Sequence, residues 1–253
     1  ETLLGFDEVP GSIGSLVCVP TTAGTGSEVS HSAVIRNSSS GKKGAALSQY
    51  LRPQVAIVDP ELTLSCPKKL TAESGIDALT HAIEAYLVTG YSDLAPEENG
   101  TLPYEGNHPL GDLYAEKCIH LVRKSFLAAV HEPQNLEARA GMSLAATLGG
   151  LAFSNCGVTL AHALEYPIGD RYKCAHGAGN GIVLPEVMRF LEKDRGDRLT
   201  TIGQLLGVEA SPKAAIEEVS RLRREAGLPE RLRDVGAERS DLEGLAAIAA
   251  SLK

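Results

Sequence analysis

The chain has 253 residues, a formal net charge of −8, 43% hydrophobic residues and only 4% aromatics. That length supports one large or two modest domains around a core built mainly of Leu, Val, Ile and Ala. The lack of a long basic block or a bilayer-length apolar run argues against nucleic acid, an anionic membrane surface or a spanning segment as its setting. Five cysteines (Cys18, Cys66, Cys118, Cys156 and Cys174) are scattered and form no C-x-x-C, which suits free thiols in a reducing, cytoplasmic compartment. The opening residues Glu1-Thr2-Leu3-Leu4 lack an initiator Met, so the chain reads as a fragment.

Strand signals come first. SLVCVPTT, Ser15 to Thr22, is a β-branched apolar run that ends at a proline and a glycine-rich turn. Ala33 to Ile35 and Val55 to Val58 give further short strands, with the polar loop NSSSGKKG between them. Beyond Pro60 the helical period takes over. Thr71 is placed to cap a helix over 72–89 that buries a stripe of Ile76, Leu79, Ile83 and Leu87. Residues 90–111, dense in Gly, Pro, Asn and acidic residues, read as an excursion loop. Further helices are expected at 112–131, 135–154, 159–166, 177–191, 197–207, 211–226 and 239–252, with Pro167 ending or bending the third of these. Gly141, Ala145, Gly149, Gly150 and Ala152 allow close helix–helix approach. The fold class is α+β, mostly α: a small β-containing piece followed by an all-helical domain.

Four residues in the helical part could form a metal site. Asp77 and His81 lie four positions apart, on one helical face. His162 opens HALEYP and His176 opens HGAGNGIVLP, where Gly177 and Gly179 let backbone come close to a ligand. Three imidazoles and one carboxylate suit a divalent transition metal with an open position, and would leave a net +1 charge on it. Read alone, D-x-x-x-H on a helix is more often a satisfied core histidine. His108, His120 and His131 read as solvated surface or loop positions.

PTTAGTGSEVS (Pro20 to Ser30), VAIVDPELT (Val55 to Thr63), GIDALTHAIEAY (Gly75 to Tyr86) and LAFSNCGVTLAHALEYPIG with AHGAGNGIVLP (Leu151 to Pro185) together resemble the iron-containing, group III alcohol dehydrogenases. The likeness runs in order from about residue 5 to 192. It implies a dehydroquinate synthase-like architecture, in which residues 1–62 are the C-terminal part of an α/β dinucleotide-binding domain and 63–253 are a helical metal-binding domain, incomplete at its C-terminus. The family's metal ligands fall on Asp77, His81, His162 and His176, with Fe²⁺ the usual ion and Zn²⁺ the alternative. Its cofactor turn falls on Thr21, Thr22, Gly24, Thr25, Gly26 and Ser27, where glycines and hydroxyls expose backbone N–H groups to a pyrophosphate. By itself such a turn needs its glycines only for steric relief. Lys43, with Lys42 an alternative, aligns with a basic residue near the nicotinamide-side ribose or phosphate.

The resemblance implies hydride transfer between NAD or NADP and a small alcohol, aldehyde or hydroxy/oxo acid, by a homo-oligomeric enzyme. Two departures stand out. The family's Gly-Gly-Gly-Ser phosphate motif is absent, so the segment alone is expected to be inactive. Tyr166 stands where the family often has a second histidine; it is the catalytic candidate as proton donor or acceptor, with an aromatic pocket wall as the alternative. Tyr166 together with LPYEGNHPLGD also resembles the hydroxyacid–oxoacid transhydrogenase branch. The rival readings are a dehydroquinate synthase-like lyase, for which only Arg171 and Lys173 offer basic groups nearby, and a non-catalytic helical metal-binding module.

Overall fold

The structure, a computed structural model, describes residues 3–36, 43–94 and 104–251. Its strands form two small sheets. In the first, β1 (Gly5–Phe6) lies parallel to β4 (Lys43–Leu47), which pairs antiparallel with β3 (Ser32–Arg36). In the second, β2 (Val17–Cys18) runs parallel to β5 (Val55–Ala56), with Val17 opposite Val55 and Cys18 opposite Ala56.

The runs expected over 15–22 and 55–58 thus pair over only two residues each. Pro20 has no N–H for a ladder, and Asp59 turns the chain at once by accepting a hydrogen bond from Glu61 N at 2.9 Å. β4 corrects the reading of NSSSGKKG as a loop. Residues 37–42 lie outside the described residues, but from Lys43 onward KGAAL is a strand. It has weak intrinsic strand preference and owes its conformation to its register with β3.

The helical body is organised around α1 (Lys68–Leu87), which packs on α2 (Pro109–His131), α3 (Leu136–Cys156) and α5 (His176–Leu206). Every residue from Gly75 to Leu87 is buried, so α1 is enclosed on all sides rather than along the expected stripe. It also starts four residues early: Pro67 occupies the cap position, and the Thr71 hydroxyl instead donates to Pro67 O at 3.0 Å and accepts from Arg139 Nη1 at 2.8 Å. The end of the expected 90–111 loop is helical too, because the His108 side chain caps α2 by accepting from Gly111 N at 3.2 Å. His108 is therefore a cap and not a solvated loop residue.

Gly157, at φ 98°, turns the chain through a 107° bend from α3 into α4 (Leu160–Tyr172). α4 does not end at Pro167 but continues to Tyr172, since Pro167, Ile168 and Gly169 are all buried and packing outweighs the one lost N–H. α5 breaks at Arg195 (φ −129°, ψ 22°), where the sequence separates two helices. α6 (Pro212–Glu225) packs on α5, and α7 (Leu242–Ala250) on α4. Among the described residues, no single helix is long and apolar enough to cross a membrane.

Candidate metal centre

Asp77 and His81 project from the enclosed face of α1, one turn apart, at 3% and 5% exposure. His162 lies in the first turn of α4, and His176 is the first residue of α5. Ligand atoms of Asp77, His162 and His176 all fall within 4.8 Å of one another. His162 Nε2 is 4.0 Å and His176 Nε2 3.7 Å from Asp77 Oδ1. His81 lies beside this group, with its Nε2 3.0 Å from His162 Nε2 and its Nδ1 3.9 Å from Asp77 Oδ2. Its ring is sandwiched between Phe153 and His162 at centroid distances of 4.3 and 4.6 Å. Three of the four residues singled out in the sequence, Asp77, His162 and His176, converge, and His81 lies stacked against His162 beside them.

Glu84, Glu165 and Asn180 surround this quartet, and the sequence reading missed them. His162 Nδ1 bonds Glu84 Oε2, and His176 Nδ1 bonds Glu165 Oε2. With a carboxylate on each Nδ1, both rings turn Nε2 towards Asp77. The Asn180 amide nitrogen sits among them, donating to Asp77 Oδ1 at 2.9 Å and lying 3.2 and 3.3 Å from the Nε2 atoms of His162 and His176. A signal existed: Glu84 follows His81 by three positions, Glu165 follows His162 by three, and Asn180 follows His176 by four, all one-turn spacings.

The electrostatics suit a cation. Burial pushes the His81 imidazolium down to about 3, against the pull of Asp77, so the ring is neutral. Burial disfavours the Asp77 carboxylate, yet the surrounding histidines and Asn180 hold it below the usual carboxylate range. Glu84 likewise is held low by His162, Thr159 and Ala161 in spite of its burial. His81 Nδ1 is a buried atom with no hydrogen-bond partner. An orphaned imidazole nitrogen beside converging lone pairs and a buried carboxylate is a donor set that fits a divalent transition metal.

The glycine-rich turn sits beside this centre. Gly24, Gly26 and Glu28 are buried, whereas Thr21, Thr25 and Ser27 are exposed and Thr22 is half-buried. Gly26 has φ 63°, and a Cβ there would lie 2.5 Å from Ala146 O and Gly150 Cα. A Cβ on Gly24 would lie 2.7 Å from Ser74 Cβ of α1. The glycines therefore seat the turn on both helices. Gly149, next along α3, faces Ala78 O and His81 Cβ, so the turn and the ligand helix rest on one glycine pair. Thr25 Oγ1 donates to Ser27 Oγ at 3.1 Å and accepts from Ser27 N at 3.2 Å. Lys42 and the side chain of Lys43 lie outside the described residues.

Tyr166 stacks over the His176 ring at 6.2 Å, which places it at the edge of the centre. Burial, reinforced by Tyr104 and Glu165, pushes its phenol up to about 12. That moves it away from a base and towards a hydrogen-bond donor.

Residues 103–253 match the model for the C-terminal part of the Fe-containing alcohol dehydrogenase family, and residues 5–60 match the model for iron-containing alcohol dehydrogenase. The chain belongs to the iron-containing alcohol dehydrogenase family. Among its relatives in that family, long-chain-alcohol dehydrogenase 1 of Geobacillus thermodenitrificans (strain NG80-2) is 38% identical over 90% of this chain and 55% of its own length. A crystal structure of 1,3-propanediol oxidoreductase superposes with a TM-score of 0.89 at 31% identity, covering 99% of this chain and 63% of that one. Sulfoacetaldehyde reductase from Bifidobacterium kashiwanohense, solved in complex with NAD⁺, gives a TM-score of 0.81 at 30% identity over 95% and 61% of the two chains. The chain thus spans a little over half the length of these family members, and the mostly helical fold with an α/β remnant is the family's.

Proposed function

We propose that the protein transfers hydride reversibly between a small alcohol or hydroxy acid and a nicotinamide dinucleotide, NAD or NADP. The observation that carries this reading is the convergence of Asp77, His162 and His176 in one largely buried cluster, with His81 against His162. These four residues would hold the metal; Fe²⁺ is the first choice from the family and Zn²⁺ the alternative for this ligand set. Once bound, the metal supplies Lewis acidity towards a substrate hydroxyl or carbonyl oxygen, and the nicotinamide supplies the hydride chemistry.

The chain's own residues do the positioning. Neutral His81 and ionised Asp77 set the charge of the site. Glu84 and Glu165 fix the rings of His162 and His176. Tyr166, protonated through the physiological range, offers a hydrogen bond from the rim. The turn over Thr21, Thr22, Gly24, Thr25, Gly26 and Ser27 presents exposed hydroxyls beside the centre and would take the cofactor's phosphates. In this reading residues 1–62 contribute to the cofactor cleft and 63–253 hold the metal.

The test uses the full-length protein, stripped of metal and reloaded with Fe²⁺ without oxygen. It is assayed by nicotinamide absorbance against a panel of alcohols, aldehydes and hydroxy acids with both cofactors. Metal-dependent NADH or NADPH formation supports the proposal. A protein that binds metal and cofactor yet turns over no member of the panel refutes it.

A further inference from the structure

We propose that Glu84 is a positioning residue that dictates which nitrogen of His162 faces the cation, and that the start of α4 enforces the choice. The inference rests on the reading of the quartet as a metal centre.

Glu84 is 1% exposed, and its two oxygens have separate duties. Oε1 accepts from Thr159 N at 3.0 Å, Thr159 Oγ1 at 2.7 Å and Ala161 N at 2.7 Å. Two of those three donors are backbone N–H groups, which can do nothing but donate. The atom at the Oε1 position must therefore be an acceptor. Oε2 meets His162 Nδ1. A carboxylate supplies acceptors at both positions, so His162 donates from Nδ1 and presents a bare lone pair at Nε2. That inward atom lies 3.0 Å from His81 Nε2 and 4.0 Å from Asp77 Oδ1.

Glutamine has the same shape with different chemistry. In Glu84→Gln the carbonyl oxygen must take the Oε1 position, because an NH₂ there would face two backbone N–H groups. The NH₂ then points at His162 Nδ1, which must accept. The ring proton moves to Nε2, and the ligand lone pair disappears although no heavy atom has moved. An ordinary structural glutamate would not transmit its identity to the far nitrogen of a neighbouring ring. This one does so because α4 delivers the first-turn donors and the ligand histidine from a single short segment, Thr159 to His162.

The test is long-range ¹H–¹⁵N correlation of ¹⁵N-histidine-labelled full-length protein, metal-stripped and Zn²⁺-loaded, with His162 assigned by its loss in His162→Gln. A competitive Zn²⁺ titration accompanies it. The expected result is an Nδ1–H tautomer in the unsubstituted protein and an Nε2–H tautomer in stripped Glu84→Gln, with Zn²⁺ affinity lower by about 10- to 100-fold. An unchanged tautomer in Glu84→Gln, or Zn²⁺ affinity within about twofold of the parent, overturns the proposal. Should the variant not fold, the parent still decides: an Nε2–H tautomer at His162 in the stripped, unsubstituted protein contradicts the inference outright. Failure of the metal-centre reading looks different, since the unsubstituted protein would then bind no Zn²⁺ while the tautomer result stands by itself.

Discussion

In the helical body α1 is enclosed from Gly75 to Leu87, whereas Val17, Val34, Ile35, Val55 and Ile57 of the strand segment are each 47–56% exposed. The strands of the second sheet are parallel, an arrangement that α/β proteins normally cover on both faces. Asp77, His81, His162 and His176 therefore sit on the packed helices, with Glu84 and Glu165 bonded to two of the three rings. The glycine-rich turn sits at the seam between the two regions. Its glycines are held against helices, while Thr21, Thr25 and Ser27 are exposed. In the proposed function the two halves of the chemistry would fall to two kinds of structure: a packed site for the cation and an open cradle for the cofactor.

The strongest way to break that comparison is at the ligands. His162→Ala or His176→Ala in the full-length protein is expected to drop bound metal from equimolar to trace and turnover by orders of magnitude. Elemental analysis showing full metal content in either variant would remove that histidine from the site.

Core truncation sharpens the contrast in stability. Ile83→Ala, at a fully buried position of α1, is expected to cost about 2–5 kcal/mol in denaturant unfolding. Ile35→Ala, on the exposed face of β3, is expected to change stability by about 0.5 kcal/mol or less. Equal costs would show that the strand segment is as tightly packed as the helices.

Gly150→Ala probes the seam. A methyl there would lie 2.4 Å from Gly26 O, so the turn must shift. The expected outcome is a loss of about 1–3 kcal/mol of stability, together with weaker cofactor binding by calorimetry. Unchanged values for both would mean that the turn does not depend on α3.

The smallest effect concerns pH. Burial pushes the Cys118 thiol from 9.0 up to about 12. A raised folded-state value means that the fold favours the protonated thiol. Its contribution is intact below about pH 9 and is lost as pH rises towards 12. Thermal melts should therefore fall over that window, and less so in Cys118→Ala. At mildly alkaline pH, iodoacetamide should modify half-buried Cys174 before Cys118 or Cys156.

Much of this was legible in the sequence, for identifiable reasons. Asp77 and His81 could be read from their one-turn spacing and His162 and His176 from the motifs they stand in, and each helix of the body announces itself by its period. β4 could not be read, because KGAAL takes its form from β3 and not from local preference. Thr71 looked like a cap and Pro167 like a terminator, but only burial decides whether a helix starts earlier or runs through. Glu84 and Glu165 were hidden for a related reason. A glutamate on a helix ordinarily reads as a solvated charge, and only the convergence of α1, α4 and α5 shows that both are buried against imidazoles.

The most direct measurement is anomalous diffraction from crystals of the full-length protein, at the absorption edge of whichever metal elemental analysis finds. The account requires a single strong peak bonded, at about 2.0–2.2 Å, to Asp77, His81, His162 and His176 together. A peak elsewhere in the fold, or one that leaves any of the four unbonded, would contradict it.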